Sequence, residues 1–247
     1  MITARSITKR YGDIRALDGL SFTVEKGTVF GLLGPNGAGK STAMSICTGL
    51  VRADSGDVDI GGAGSPSQPA ARRLLGLAPQ QIALYLQMSA RENLMFLCGI
   101  YGVSGARRRA DELLDLVGLL PRGKDRLQGF SGGMQRRLNL AAALVHDPPV
   151  LLLDEPTAGV DPQSRANILE VVQRLAREGR TVVYTTHYME EAQKLCDWVA
   201  IVDHGKLLAQ GTVPDLMAKH GGQALVVVQT ESGEERLFTE NPLREIE

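Results

Sequence analysis

The sequence predicts an α/β fold with a mainly parallel sheet, and two observations support this prediction. An apolar run from Thr28 to Leu33 leads into a glycine-rich loop and then into a helical stretch from Ser41 to Leu50. A second apolar run, from Val150 to Leu153, ends in two acidic residues and precedes another long helical stretch. Short, fully apolar strands between helices are typical of parallel sheets that are covered on both faces.

The stretches around this sheet predict two further parts. Residues Ile2 to Val24 read as short strands broken by turns, which we interpret as an N-terminal antiparallel β subdomain. Residues from about 84 to 147 change to a helical pattern, which we interpret as a helical insert subdomain. Within it, Ser89 to Glu92 form a capping box that opens one helix. The basic run Arg107 to Arg109 is interpreted as a solvated face, because acidic residues follow it at once.

The C-terminal stretch, residues 221–247, is predicted to form a β-hairpin-like appendage. Two β-prone runs, Ala224 to Gln229 and Glu235 to Phe238, flank a turn sequence. We expect this appendage to pack against the core or a second subunit, and a regulatory element is the alternative.

Length, composition and charge are those of an ordinary globular protein. The chain has 247 residues, of which 43% are hydrophobic and 22% charged, and its formal net charge is −1. This length allows one large core with a smaller subdomain. The balanced charge gives no reason to expect nucleic acid as a partner. Cys47, Cys98 and Cys196 are far apart and lack metal-binding spacing, which favours a reducing compartment.

No stretch reads as a signal peptide or a membrane span. Met1 to Arg10 has no apolar core, and apolar runs such as Leu138 to Val145 are far shorter than the roughly 20 residues that a spanning helix needs. We therefore expect the chain neither to cross a membrane nor to be exported.

The glycine-rich loop fits the phosphate-binding pattern G-x-x-x-x-G-K-[ST] at every position. Its glycines let the backbone bend so that successive N–H groups face phosphate oxygens, and the helix N-terminus adds partial positive charge. We expect Lys40 to reach the β- and γ-phosphates and the Ser41 hydroxyl to ligate Mg²⁺. The residues predicted to bind nucleotide here are Gly34, Pro35, Asn36, Gly37, Ala38, Gly39, Lys40, Ser41 and Thr42.

Two adjacent acids, Asp154 and Glu155, form the second candidate site. They follow a buried strand directly, and ligands bind at the carboxyl ends of strands in parallel sheets. We expect Asp154 to hold the metal through water, and Glu155 to orient and deprotonate the attacking water.

Three further residues have both a functional and a structural interpretation. His187 follows the strand Thr181 to Thr185, and its place among the other strand ends favours a functional role. Gln80 follows the predicted strand Leu74 to Ala78, and it either acts at the nucleotide or belongs to a polar loop. Tyr11 precedes a turn, and it either stacks on a base or covers the core at a strand end.

A second glycine-rich segment, Ser131 to Gln135, lies directly before the helical run Arg136 to Leu144. Ser131 stands at the N-cap, so that its hydroxyl and the following N–H groups either satisfy the helix end or bind an anion. Asp161 and Pro162 likewise begin a long helix that reaches Gly179.

Together these motifs resemble those of the ATP-binding subunit of an ABC transporter, over about Ile2 to Lys219. Five motifs occur in the order found in that family. The resemblance implies a P-loop NTPase core, with residues 1–220 forming the ABC ATPase domain and residues of about 84–147 its helical subdomain.

The resemblance also assigns roles to individual residues. Gly34 to Thr42 match the Walker A motif, Tyr11 matches the aromatic residue that stacks on adenine, and Asp161 matches the D-loop aspartate. Gln81 beside Gln80 leaves the Q-loop glutamine open by one position, and Gln80 is chosen because it follows Pro79. The implied catalytic residues are Glu155, His187 and Gln80, and those implied at the metal are Ser41, Gln80 and Asp154. The signature residues, implied to contact ATP held by a second copy, are Ser131, Gly132, Gly133 and Gln135.

The implied function is ATP hydrolysis that powers transport. The resemblance implies ATP and Mg²⁺, a head-to-tail homodimer, and a separate transmembrane permease at the cytoplasmic face of the cell membrane. The run from Phe130 to Pro162 is most similar to the branch of daunorubicin-type and other drug or antibiotic exporters, so we expect export of a small hydrophobic compound. An importer ATPase, a non-transport ABC ATPase that acts as a mechanical switch, and a P-loop kinase are the alternatives.

Overall fold

The computed structural model describes residues 1–220, 224–230 and 233–239. The strands in this part of the chain are β1 (Ile2–Tyr11), β2 (Ile14–Val24), β3 (Val29–Leu33), β4 (Ser55–Ile60), β5 (Leu75–Ala78), β6 (Val150–Asp154), β7 (Thr181–Thr186), β8 (Trp198–Asp203), β9 (Lys206–Gly211), β10 (Ala224–Thr230) and β11 (Gly233–Thr239). The helices are α1 (Lys40–Cys47), α2 (Pro69–Arg72), α3 (Ala90–Tyr101), α4 (Ala106–Leu116), α5 (Gly132–Ala143), α6 (Pro162–Arg177), α7 (Met189–Leu195) and α8 (Val213–His220).

The central sheet has six strands in the order β5-β6-β7-β3-β8-β9. The first five are parallel to one another, and β9 runs antiparallel to β8 at the edge. Every residue of β3, β6 and β7 is buried, which is why these strands, apart from Asp154 at the end of β6, read as continuous uncharged runs rather than as alternating ones. The predicted α/β fold with a mainly parallel sheet is confirmed.

The N-terminal subdomain is an antiparallel sheet in the order β2-β1-β4. The predicted N-terminal antiparallel β subdomain is confirmed, and its strands β1 and β2 are longer than the short strands that were expected. Register shifts along the β1–β2 pair absorb the irregular positions, among them Ser6 with its positive φ of 46°. A bulge of this kind leaves one residue unpaired and lets the ladder continue beyond it.

Two large hydrophobic clusters cover the faces of the central sheet, and a third, smaller cluster lies between β3, β8, α7 and α8. One is formed with α3, α4, α5 and α6, and it buries the apolar stripe of Leu113, Leu114 and Val117. The other joins the antiparallel sheet and α1 to the opposite face, where the rings of Phe22 and Phe30 stack with centroids 5.6 Å apart. The helical insert is therefore continuous with the main core.

The basic run of the insert divides into two kinds of residue. Arg107 and Arg108 are exposed, as predicted. Arg109 is half-buried instead, and its guanidinium donates to the carbonyl oxygens of Leu144 at 2.7 Å and Val145 at 3.1 Å. The interpretation of a solvated face is thus wrong for Arg109, which donates to carbonyls just beyond the C-terminal end of α5.

The predicted helix starts are confirmed. The Ser89 hydroxyl accepts a hydrogen bond from the Glu92 N–H at 3.2 Å, and the Glu92 carboxylate accepts one from the Ser89 N–H at 2.8 Å. Ser131 caps α5 and Asp161 caps α6.

In the C-terminal stretch, β10 and β11 pair as an antiparallel ladder. The predicted turn at residues 231–232 lies outside the described residues, as do residues 221–223 and 240–247. In the described part of the chain, every helix is too short or too polar to span a lipid bilayer.

Candidate active site

Some of the candidate residues meet at the carboxyl ends of three neighbouring strands, β6, β7 and β3. The glycine-rich loop follows β3, Glu155 follows β6, and His187 follows β7. A cleft of about 390 Å³ opens at this edge. Its lining consists of Ile14, Arg15, Ala16, Asn36, Gly37, Gly39, Lys40, Ser41, Thr42, Gln80, Glu155 and His204.

The glycine-rich loop has a conformation that needs glycine. Gly37 and Gly39 have φ values of 82° and 100°, in the left-handed region that side chains disfavour. A Cβ at Gly39 would also lie 2.4 Å from the Ala16 carbonyl oxygen, and one at Gly34 would lie 2.1 Å from that of Val202. The loop thus passes so close to β2 and β8 that no larger residue fits, and it forms a narrow cradle at the start of α1.

Lys40 is buried beneath this cradle, with 4% of its side chain exposed. Its Nζ donates to the carbonyl oxygens of Gly34 at 2.7 Å and Pro35 at 3.0 Å. The same Nζ lies 3.2 Å from Oε1 of Glu155. Two carbonyl oxygens and one carboxylate thereby hold a buried ammonium at the cleft. In this position it can bind the oxygens of a polyphosphate.

Glu155 lies between a cation and a histidine. Its Oε1 contacts Lys40, and its Oε2 lies 3.4 Å from Nδ1 of His187. The Glu155 backbone has a positive φ of 44°, and its N–H donates to the Thr185 hydroxyl at 2.9 Å. That hydroxyl in turn donates to Oδ1 of Asp154 at 2.7 Å. Strained backbone that surrounding hydrogen bonds hold in place is common at functional sites.

Gln80 contributes to the cleft lining, and Gln81 does not. The loop that carries Gln80 is fixed by α5, since Asn139 donates to the Pro79 carbonyl at 2.9 Å and Arg136 donates to the Gln80 carbonyl. Burial lowers the pKa of Arg136, and the nearby carboxylates Asp154 and Glu155 oppose this effect. Sequence reasoning missed Arg136 and Asn139. Their one signal is the spacing of three residues, which places both on one face of α5.

The signature residues lie outside this cleft. Ser131 is exposed at the N-cap of α5, and its hydroxyl accepts from the Met134 N–H at 3.3 Å. Gln135 donates to the Leu127 and Phe130 carbonyls, both at 3.3 Å. Gly133 packs against the first turn of α6.

Asp161 and Tyr11 also lie outside the cleft lining formed by the described residues. Oδ1 of Asp161 accepts from the Ser164 N–H at 2.9 Å, and hydrogen bonds from Ser164 lower the pKa of this carboxyl. Tyr11 is the last residue of β1, and 47% of its surface is exposed. The cleft-lining residues that are nearest to it in sequence are Ile14 and Arg15. Its stacking role stays a prediction. Arg15 and His204 line the cleft from β2 and from the β8–β9 turn, and no sequence pattern singled them out.

Gly133→Ala is expected to lower the free energy of unfolding by about 1–3 kcal/mol, since overpacking forces neighbouring atoms apart. The new Cβ would lie 2.1 Å from the Ser164 hydroxyl oxygen and 2.5 Å from the Ser164 Cβ. Chemical denaturation of the nucleotide-free chain measures the effect. The matched control is Gly132→Ala, because nothing lies within 4 Å of a Cβ there. Equal stability of the two variants would contradict the close packing.

A phosphate-binding loop after the central strand, with paired acids on a nearby strand, defines a P-loop nucleotide hydrolase. Residues 17–158 match the sequence model of the family described as ABC transporter. The chain is 49% identical over 229 residues to a linearmycin resistance ATP-binding protein of Bacillus subtilis, with 92% of this chain and 74% of that protein covered. It is 44% identical over 236 residues to a daunorubicin resistance ATP-binding protein of Streptomyces coeruleorubidus, with 94% and 75% covered.

Solved structures agree with the sequence comparisons. The ATP-binding subunit of an ABC transporter superposes with a TM-score of 0.80 at 29% identity, over 90% of this chain and 93% of that one. A dimeric, post-hydrolysis ATP-binding cassette bound to ADP and phosphate superposes with a TM-score of 0.78 at 27% identity, over 86% and 99%. The chain therefore belongs to the ABC transporter family, and it is an ATPase. These findings confirm the predicted family, fold and ATPase activity, and the roles of single residues stay predictions.

Proposed function

We propose that this chain is the ATP-hydrolysing subunit of an exporter for a small hydrophobic compound of the drug or antibiotic type. We infer the direction of transport from the names of the chain's relatives. Beside the linearmycin and daunorubicin resistance proteins, a Nod factor export ATP-binding protein of Burkholderia orbicola is 43% identical over 213 residues, with 85% of this chain and 70% of that protein covered. Each of these relatives is named for resistance or export.

The hydrolytic step uses the groups at the cleft. The glycine cradle accommodates the polyphosphate of ATP, and Lys40 contacts its terminal phosphates. Ser41 and Gln80, and Asp154 through water, would hold Mg²⁺, which prefers oxygen ligands, and the ion would supply positive charge beside the phosphates. The Glu155 carboxylate takes a proton from the attacking water as the water oxygen bonds to the γ-phosphorus and the bond to ADP breaks. His187, 3.4 Å from that carboxylate, holds its orientation.

The active form is a head-to-tail homodimer. ATP on the loop of one copy is closed by Ser131 and Gly133 of the other, which agrees with the exposure of Ser131 and its position outside the cleft of its own chain. A second dimeric structure of the bacterial cassette described above resembles this chain with a TM-score of 0.79 at 29% identity, over 86% of this chain and 99% of that one. Closure on ATP and opening after hydrolysis then convert phosphate chemistry into motion.

The helical insert docks the membrane partner at the cytoplasmic face of the cell membrane. A groove of about 660 Å³ lies on this insert, with Met88 and Met95 in its lining. Its charged side chains are mostly basic, and they are Arg91, Arg107, Lys124, Arg126 and the single acid Glu92. We assign to this groove a cytoplasmic helix of a separate permease, with apolar residues toward the methionines.

Recovery of the partner tests the proposal. The chain is tagged at native level, membranes are extracted gently, and copurifying proteins are identified. We expect an integral membrane protein. Recovery only from the soluble fraction, alone or with ribosomes or DNA, would contradict transport and favour the mechanical-switch alternative.

Direction is measured as the cellular content of a hydrophobic antibiotic, with wild-type chain compared against Glu155→Gln. We expect lower content with the wild type, because export needs turnover. Higher content with the wild type would identify an importer.

A further inference from the structure

A buried carboxylate that the hydrolytic step does not use lies behind the cleft. Glu191 of α7 has 2% of its surface exposed. Its Oε1 accepts from the Thr157 hydroxyl at 2.7 Å, and its Oε2 accepts from the hydroxyls of Thr186 at 2.7 Å and Tyr184 at 3.0 Å. A buried carboxylate with this many donors is held in one orientation, because each lost hydrogen bond leaves a desolvated oxygen.

These donors belong to the segments that carry the candidate catalytic groups. Thr157 lies two residues after Glu155, and Thr186 lies directly before His187. The Thr186 hydroxyl also accepts from the Tyr188 N–H at 3.0 Å, which fixes the chain on the other side of His187. Glu191 thus ties the segment after β6 to the segment after β7.

A cation from a third segment completes this cluster. Nε of Arg165 lies 3.5 Å from Oε1 of Glu191. Arg165 is in the first turn of α6, and its backbone N–H donates to the backbone carbonyl of Asp161 at 2.9 Å. Its guanidinium carbon lies 4.5 Å from the centre of the Tyr188 ring, and that ring lies 4.0 Å from the ring of His187. A continuous series of contacts therefore joins the start of α6 to His187.

We propose that Arg165 and Glu191 are a positioning pair that holds His187 against Glu155 and links its placement to the segment with Asp161. The inference rests on the proposed function. It adds that the position of the segment with Asp161 affects the rate of ATP hydrolysis through the placement of His187. Arg165 acts through the Tyr188 ring, since a guanidinium over an aromatic face restricts the ring's position. Glu191 acts on both sides at once, because it holds Arg165 by charge and Thr186 by a hydrogen bond.

The test measures kcat, KM and nucleotide affinity separately, on the full chain, with Arg165→Ala and Tyr188→Ala. We expect kcat to fall about ten- to hundredfold in both, and KM and the affinity for a fluorescent ATP analogue to change less than about twofold, because misplacement of a catalytic group affects the transition state alone. Tyr188→Phe keeps the ring and is expected to retain the wild-type kcat. The matched control is Arg174→Ala on the same helix, whose ion pair with Glu178 is at the surface.

A second comparison separates positioning from mere folding. In a His187→Ala background, Arg165→Ala is expected to lower kcat no further, because the pair acts through that histidine. An additive loss, or an unchanged kcat together with weaker ATP binding, would overturn the inference. Should Arg165→Ala fail to fold, the Tyr188→Ala and Tyr188→Phe pair decides by the same criteria. A wild-type chain without ATP turnover would instead overturn the proposed function, so the two failures are distinguishable.

Discussion

Glu155→Gln is expected to reduce ATP turnover about 10²- to 10⁴-fold while ATP binding is retained, because the loss of a positioned general base has effects of this size. The amide keeps the shape of the carboxylate and can accept from Lys40, but it cannot take a proton from water. The carboxylate lies 3.2 Å from Nζ of Lys40 and 3.4 Å from Nδ1 of His187, so the loss of its negative charge changes the electrostatic environment of both groups. Initial rates of phosphate release measure the effect.

The same variant is expected to accumulate as a dimer in the presence of ATP and Mg²⁺. Closure needs ATP, and opening needs hydrolysis, so a chain that binds without hydrolysing stays closed. Light scattering after size-exclusion chromatography measures the mass with ATP and with ADP. The matched control is Glu170→Gln, an exposed glutamate on α6, which we expect to turn over ATP as the wild type does. If Glu155→Gln hydrolysed ATP at the wild-type rate, Glu155 would not be the general base.

The signals that were predictable from the sequence are local ones. The loop from Gly34 to Thr42 and the acids Asp154 and Glu155 stand beside apolar strands, and both the strand and the site are readable within about ten residues. Caps such as Ser89 with Glu92 are likewise local, because the hydrogen bonds join residues three apart. The sheet and these motifs therefore followed from sequence alone.

The parts that were missed depend on partners far away in sequence. Arg109 reads as part of a charge run, yet its acceptors are carbonyls 35 and 36 residues further on. Arg136 reads as a surface residue of a helix, but it donates to the Gln80 loop, 56 residues before it. Glu191 looks like any acid in the first turn of a helix. Only the strand order, which brings the ends of β6 and β7 together, turns it into a buried hydrogen-bond acceptor.

The uninterrupted length of β1 could not be predicted, for a related reason. Whether β1 continues through Ser6 depends on its pairing with β2 and β4 on both sides. A one-residue irregularity looks like a turn when the chain is read by itself, and it is a bulge when the partner strand is present.

Lys40→Ala is expected to weaken ATP binding at least about 100-fold, or about 2.7 kcal/mol, since a buried charge-assisted contact to phosphate is lost. The substitution has a second effect, because it leaves Glu155 buried without its cation, and an unpaired buried charge destabilises the fold. Titration with a fluorescent ATP analogue measures the affinity, and thermal unfolding measures the stability.

Two controls separate these effects. Lys206→Ala removes a lysine from a surface ion pair with Asp18, and it is expected to leave both quantities near the wild-type values. The double variant Lys40→Ala with Glu155→Gln removes the unpaired charge, so it should recover stability without recovering ATP binding. Because closure follows ATP binding, Lys40→Ala is expected to remain monomeric under the conditions in which Glu155→Gln dimerises. A dimer of Lys40→Ala and none of Glu155→Gln would overturn the roles assigned to both residues.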